Sequence, residues 1–210
     1  MAGKRSTTDQ LTGLYDRRTV ADIVQAMPPD KPLALALIDV DGFKVINDSL
    51  GHAVGDEVLV RLARTITGSL PAEAVTGRIG GDEIAVVLPD RSAESALILL
   101  EEIRTFLTEH EDPRVARPVT ISVGVAARPP HGSTFEDLLR AADQAMYRAK
   151  AQGRDRVAIY VDEKMVMKSN YYDRAALSRI AKLSENTGRT EASLLREALD
   201  DLFVKYVDQL

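Results

Sequence analysis

The sequence contains no cysteine and no tryptophan. Disulfides, thiolate metal sites and a cysteine nucleophile are therefore excluded. Only three histidines are present, His52, His110 and His131, which makes a conventional zinc site improbable. Aromatic residues amount to 5%, so surfaces that stack on nucleic-acid bases are scarce. No apolar run approaches the roughly 20 residues that a membrane helix needs, and the longest, Pro32 to Ile38, falls far short. The N-terminus, Met1 to Gln10, is polar and lacks the apolar core of a signal peptide. These absences fit a cytoplasmic protein without a membrane partner. The formal net charge of -5 gives no global reason to bind nucleic acid.

What is present is a globular balance, 45% hydrophobic and 28% charged, too apolar for a disordered chain. At roughly 150 residues per domain, 210 residues suggest one domain and a small extra piece. Charge marks the division. From Glu163 to Leu210 eight basic residues match eight acidic ones, so residues 1–162 carry the whole negative balance. The expected domains are therefore 1–162 and 163–210.

The first part alternates helical and extended patterns. Arg17 to Met27 reads as a helix capped by Asp16. Leu33 to Ile38 is a short apolar run ending in a carboxylate, as a buried strand can. Gly55 to Ile66 is helical, and Ala74 to Ile79 and Glu83 to Leu88 are strand-like around Gly80-Gly81, a hairpin signal. Ala93 to Leu107 carries an apolar stripe at Ala96, Leu99, Leu100, Ile103, Phe106 and Leu107. Val119 to Val125 alternates as a strand. Thr134 opens a helix to Ala149 whose buried face is Leu138, Leu139, Ala142, Ala145, Met146 and Ala149, and Val157 to Val161 closes the unit. Strands mixed with helices around a central hairpin imply an α+β sheet. After Asp162, Lys168 to Tyr172 reads as a short extended segment. Two helices follow, Ala175 to Ser184 and one capped by Thr190, with a glycine turn between them. About 45 residues are too few to bury a core alone, so this piece is expected to pair with a second copy.

Three segments carry chemistry. Ile38 to Asp48 places Asp39 at the end of an apolar strand, where a carboxylate is costly unless a cation pairs with it. Gly80-Gly81-Asp82-Glu83 puts two acids beside two glycines on a hairpin tip; glycines admit close backbone approach and the acids suit a divalent metal. Asp39, Asp82 and Glu83 together suit one or two magnesium ions, which neutralise a triphosphate and activate a hydroxyl for in-line attack. Manganese also favours oxygen ligands and is not distinguished from magnesium. Lys150-Ala151-Gln152-Gly153-Arg154 sets two cations at a helix end, suited to phosphate oxygens.

These residues resemble the GGDEF family of diguanylate cyclases, over about Thr8 to Val161. The resemblance rests on an ordered series: Asp9 to Leu14, Asp39 to Asn47, Gly51 to Asp56, Arg78 to Ile84, Ile121 to Val125 and Ala141 to Arg154. It implies a ferredoxin-like sheet with helices, like the palm of adenylyl cyclases and polymerases. It also implies condensation of two GTP molecules into cyclic di-GMP with release of pyrophosphate. On this sequence the resemblance makes Asp39 and the Val40 carbonyl metal ligands, joined by Asp82 and Glu83, one of which helps deprotonate the 3'-hydroxyl. Lys44 is counted with Asp82 and Glu83 as catalytic. Gly42, Phe43 and Lys44, with Lys150 and Arg154, hold phosphates, and Asn47 and Asp56 read guanine. A carboxylate such as Asp56 accepts from the guanine N1 and exocyclic amine donors, which adenine lacks.

Two departures stand out. Ile84 replaces the phenylalanine that usually ends the signature, and as a strand residue facing the core it is expected to be tolerated. Pro71 and Ala74 stand where many members carry an Arg-x-x-Asp product site, so feedback inhibition of that type is not expected.

The tail resembles ribbon-helix-helix domains of Arc and CopG type repressors, over Lys168 to Tyr206. That resemblance implies a homodimer whose paired strands enter the DNA major groove. Lys168 or Ser169, and Tyr171, become candidate base contacts, and Thr190 a phosphate contact at a helix start. No sensor segment precedes the cyclase-like unit in this sequence, so control is expected from the tail. The competing expectation is a DNA-binding regulator whose GGDEF-like domain senses GTP or cyclic di-GMP without turnover. A third is a cyclase whose tail dimerises without binding DNA.

Overall fold

The computed structural model describes residues 7–110, 115, 118–162, 171–187 and 190–206, apart from the side chains of Ser193, Arg196, Asp200, Phe203 and Val204. The chain divides into two compact units, residues 1–161 and 162–210. Among the described residues no helix is long and apolar enough to cross a membrane.

The first unit runs β1 (Tyr15–Asp16), α1 (Arg17–Ala26), β2 (Leu33–Val40), α2 (Phe43–Leu50), α3 (His52–Ser69), β3 (Val75–Arg78), β4 (Glu83–Pro89), α4 (Ala93–Glu109), β5 (Ile121–Arg128), α5 (Phe135–Ala151) and β6 (Arg156–Ile159). The strands form one sheet in the order β1-β3-β4-β2-β5-β6. Antiparallel β4 and β5 flank β2, while the edge pairs β1–β3 and β5–β6 are parallel. This mixed sheet is the expected α+β, palm-like arrangement.

Side-chain alternation explains why both sheet faces are apolar. Ala34, Ala36, Ile38 and Val40 of β2 join Ile84, Val86, Val123 and Val125 beneath α3 and α4. Leu33, Leu35 and Leu37 face the other way, toward Val20 and Val24 of α1 and Leu138, Ala142 and Met146 of α5. With both faces covered, all eight residues of β2 and of β5 are buried. Ile84 is fully buried, facing the core as expected.

Local sequence sets the helix starts. The Asp16 side chain accepts from Thr19 N at α1, Ser92 from Ser95 N at α4, and Thr134 from Asp137 N at α5. The buried face of α5 contains all six expected residues, with Phe135 and Ala141 added. In α4 the stripe is narrower than expected: Phe106 is exposed and stacks on His110, with ring centroids 3.9 Å apart.

In the second unit, α6 (Arg174–Thr187) and α7 (Glu191–Lys205) occur where two helices are expected. The expected extended segment at Lys168 to Tyr172 lies outside the described residues up to 170. Leu177, Leu183, Leu195, Leu199 and Leu202 each remain between a third and a half exposed, and an open groove of about 800 Å³ runs between the two helices.

Candidate active site

The register of β2 brings the two key acids together. Asp39 is the directly paired partner of Glu83 on β4, so both carboxylates stand on the same face at the end of the sheet. The α5 helix covers that face. Its approach depends on Gly124 in β5, where an added β-carbon would overlap the Ala142 carbonyl oxygen and the Met146 amide. One turn after Met146, Lys150 reaches over the strand end, and its Nζ lies 2.8 Å from Asp39 Oδ2. The cation that a strand-end acid requires is thus supplied by a helix 111 residues further along the chain.

Burial pushes the Asp39 carboxyl above its ordinary pKa, aided by the like charges of Asp82 and Asp41, while the Lys150 ion pair opposes this. Glu83 is raised too, first by burial and then by the negative charges of Asp39, Asp82 and Asp143. Asp143 on α5 was not singled out by sequence; it lines a cavity of about 290 Å³ together with Glu83, Ile79 and Arg140.

The hairpin tip is braced from two sides. Arg78 donates through Nε and Nη2 to the Gly81 carbonyl at 3.1 and 2.6 Å, and through Nη1 to Asp9 at 3.1 Å. Asp9 in turn accepts from the Thr12 amide and hydroxyl at 2.8 and 2.7 Å. Burial works against the Asp9 charge, but Thr12 and Arg78 outweigh it and hold its pKa below the usual value. The Glu83 side chain folds against Gly80, whereas a β-carbon on Gly81 would meet nothing within 4 Å. Gly81 is therefore not required by internal packing.

The turn after β2 forms a second wall. Gly42 takes a left-handed conformation, φ 67°, and opens α2 without a side-chain cap. The first amides of such a helix have no intrahelical acceptor and suit an anion. This places Phe43 and Lys44 in the first turn of α2, with Lys44 exposed. The helix itself was not anticipated from sequence. Asn47 lies later on α2, and its Oδ1 is buried without a hydrogen-bond partner, against Gly55 of α3. A buried acceptor without a donor costs about 1–3 kcal/mol unless something supplies one. Asp56, the next residue after Gly55, is exposed. Arg154 follows α5 with φ 64° and, with Asp41, Gly42 and Asp155, lines an open cavity of about 690 Å³.

The structure thus brings Asp39, Glu83 and Lys150 together, and sets Asp82 close enough to act on both acids. Among the described residues, no three carboxylate or imidazole side chains already converge as a ligand set for one ion. The donor chemistry nevertheless fits a hard divalent cation: carboxylate oxygens whose proton affinity is raised first by burial and then by neighbouring negative charge. In the second unit Tyr171 and Thr190 are exposed, while Lys168 and Ser169 lie outside the described residues.

The family model for the diguanylate cyclase GGDEF domain matches residues 6–156. The chain belongs to the GGDEF family. The GGDEF domain is 40% identical over 163 residues to the response regulator PleD of Caulobacter vibrioides, covering 72% of this chain and 36% of that protein. It is 36% identical over 160 residues to a diguanylate cyclase of Vibrio cholerae, covering 74% of this chain and 50% of that protein. The chain therefore spans about a third to a half of the length of these relatives. Among solved structures, the GGDEF domain of DgcB from Caulobacter crescentus in complex with c-di-GMP matches with a TM-score of 0.67 and 30% identity, over 76% of this chain and 99% of that one. The active GGEEF domain of a Vibrio cholerae diguanylate cyclase matches with a TM-score of 0.65 and 34% identity, over 70% of this chain and 98% of that one.

Proposed function

We propose that the chain is a diguanylate cyclase that condenses two GTP molecules into cyclic di-GMP. The observation that carries this is the direct pairing of Asp39 with Glu83 beneath Lys150, in a domain of the GGDEF family. The 3'-hydroxyl of each GTP attacks the α-phosphorus of the other. Each attack forms one phosphodiester and breaks one bond to a leaving pyrophosphate, so two pyrophosphates are released per cyclic product.

Asp39, the Val40 carbonyl, Asp82 and Glu83 are the residues to hold the divalent cation, magnesium or manganese. That cation supplies charge neutralisation at the triphosphate and lowers the pKa of the attacking hydroxyl. Glu83 or Asp82 takes up the hydroxyl proton, and the raised pKa of Glu83 suits that task. The amides of Gly42, Phe43 and Lys44, with the Lys44, Lys150 and Arg154 side chains, hold phosphate oxygens. Asn47 and Asp56 read guanine, and the orphaned Asn47 Oδ1 is an acceptor awaiting a donor of the kind guanine offers.

One domain holds one nucleotide, so two copies must meet face to face. The tail is read as a ribbon-helix-helix module that supplies this homodimer, and the half-exposed leucines of α6 and α7 support pairing with a second copy. DNA contact through Lys168, Ser169, Tyr171 and Thr190 is part of the same reading, as is a cytoplasmic location. Incubation of the purified chain with GTP and magnesium, followed by mass analysis, tests the activity. Cyclic di-GMP from the wild type and none from Asp82→Ala is the expected result. Equal rates from both overturn the metal assignment, and no dinucleotide from the wild type overturns the enzymatic reading.

A further inference from the structure

Asp41 follows the metal-ligand candidates Asp39 and Val40, yet its carboxylate is engaged elsewhere. Its Oδ1 accepts from Ser122 Oγ at 2.7 Å, and its Oδ2 accepts from Thr120 Oγ1 at 2.9 Å and from the Asp155 amide at 3.0 Å. Three donors occupy most of the four lone-pair sites of a carboxylate. The third donor is the informative one, because it belongs to the turn that carries Arg154.

That turn has an unusual backbone. Gly153, Arg154 and Asp155 have φ values of 115°, 64° and 46°, three successive residues on the left-handed side. Non-glycine residues rarely adopt this conformation, and it persists only where surrounding contacts over-determine it. The inner contact is Asp41. The outer contact comes from α4: Arg104 Nη1 donates to Asp155 Oδ1 at 2.9 Å, and Arg104 Nε donates to Glu101 Oε2 at 2.7 Å. Glu101 also accepts the Val157 amide of β6 through Oε1 at 3.0 Å, so the latch is tied to the sheet edge. Burial works against the Arg104 charge, but the two carboxylates outweigh it and raise its pKa. Asp41, Gly42, Arg154 and Asp155 all line the same cavity of about 690 Å³.

We propose that Asp41 and Arg104 are positioning residues that clamp the left-handed Gly153–Asp155 turn from opposite sides and thereby hold Arg154 ready for nucleotide phosphates. This rests on the reading of Arg154 as a phosphate ligand. Asp41 links the phosphate-binding turn at Gly42 to the Arg154 turn, so the two halves of the grip are fixed relative to each other. Arg104 touches no reacting atom. Its effect passes through Asp155 to a pre-organised guanidinium, and pre-organisation is read in nucleotide affinity.

The test is a double-mutant cycle on the full chain between Arg104→Met and Arg154→Ala. KM for GTP, the dissociation constant for GTP without turnover, and the thermal midpoint are all measured. Methionine keeps much of the alkyl packing of Arg104 and removes its charge. Arg104→Met is expected to raise both KM and the dissociation constant about tenfold with kcat changed less than about threefold. In the Arg154→Ala background it is expected to add less than about twofold, because the group being positioned is gone. Asp41→Asn provides a second route and is expected to give the same non-additive pattern. A drop in thermal midpoint with unchanged affinity, or losses that multiply independently of Arg154, overturns the proposal. A wild type that binds GTP without forming dinucleotide refutes the cyclase reading and leaves the binding cycle decisive for the latch. A wild type that does not bind GTP refutes both.

Discussion

Lys150 Nζ stands 2.8 Å from Asp39 Oδ2, so the last turn of α5 neutralises the end of β2. In the protein without metal, the lysine is the counter-charge of an acid whose environment disfavours ionisation. Removing it with Lys150→Met leaves Asp39 uncompensated, and the thermal midpoint should fall. Added magnesium should then restore stability by a larger increment than in the wild type, because the ion takes over the neutralising role. Thermal melts at several magnesium concentrations check this; equal increments in both proteins contradict it.

Glu83 is held above its ordinary pKa by burial and by neighbouring negative charge. The folded protein therefore binds a proton at Glu83 more readily than the unfolded chain. This contribution is fully present below the unfolded pKa and is lost as pH rises through the raised folded value. At neutral pH the ionised group is destabilising. Glu83→Gln should raise the metal-free thermal midpoint slightly, by the equivalent of at most about 1 kcal/mol for a partly solvated group. It should lower turnover at least about a hundredfold. The difference in midpoint between Glu83→Gln and wild type should shrink as pH is lowered toward 4.5, the ordinary value for Glu.

Gly124 is required for packing rather than for backbone freedom. A β-carbon there would strike the backbone of Ala142 and Met146, so α5 must move away from β5. Gly124→Ala should destabilise by about 1–3 kcal/mol, as overpacking does. It should also weaken GTP binding, because Lys150 and Arg154 move with the helix end. Denaturant unfolding and nucleotide titration together check both parts.

Gly81 is the opposite case. An alanine there meets nothing within 4 Å, so stability should change by less than about 0.5 kcal/mol. If the tip approaches nucleotide as proposed, Gly81→Ala should still lower kcat/KM by at least about tenfold. Unchanged activity would remove the hairpin tip from the substrate site.

Much of this site was legible in the chain because its signals are local. An acid closing an apolar run marked Asp39, and two glycines before two acids marked the hairpin that carries Glu83. Caps and the α5 stripe were likewise written in short windows. The missed parts depend on contacts distant in sequence. Helix α2 gave no period because only Ile46 of its eight residues is buried, and it starts from a left-handed glycine. Phe106 fits the α4 stripe by spacing, but the stripe covers less of the helix than its apolar residues do. Asp41 gave no sign of its role, because its partners Thr120, Ser122 and Asp155 lie 79 to 114 residues away. Arg104 gave no sign of its role because Asp155 is 51 residues distant.

The most direct measurement is the stoichiometry of GTP consumption by the purified chain with magnesium, following dinucleotide and pyrophosphate together. The account predicts one cyclic di-GMP and two pyrophosphates for every two GTP consumed. Release of inorganic phosphate with GDP as product, or GTP bound and recovered intact, would contradict it.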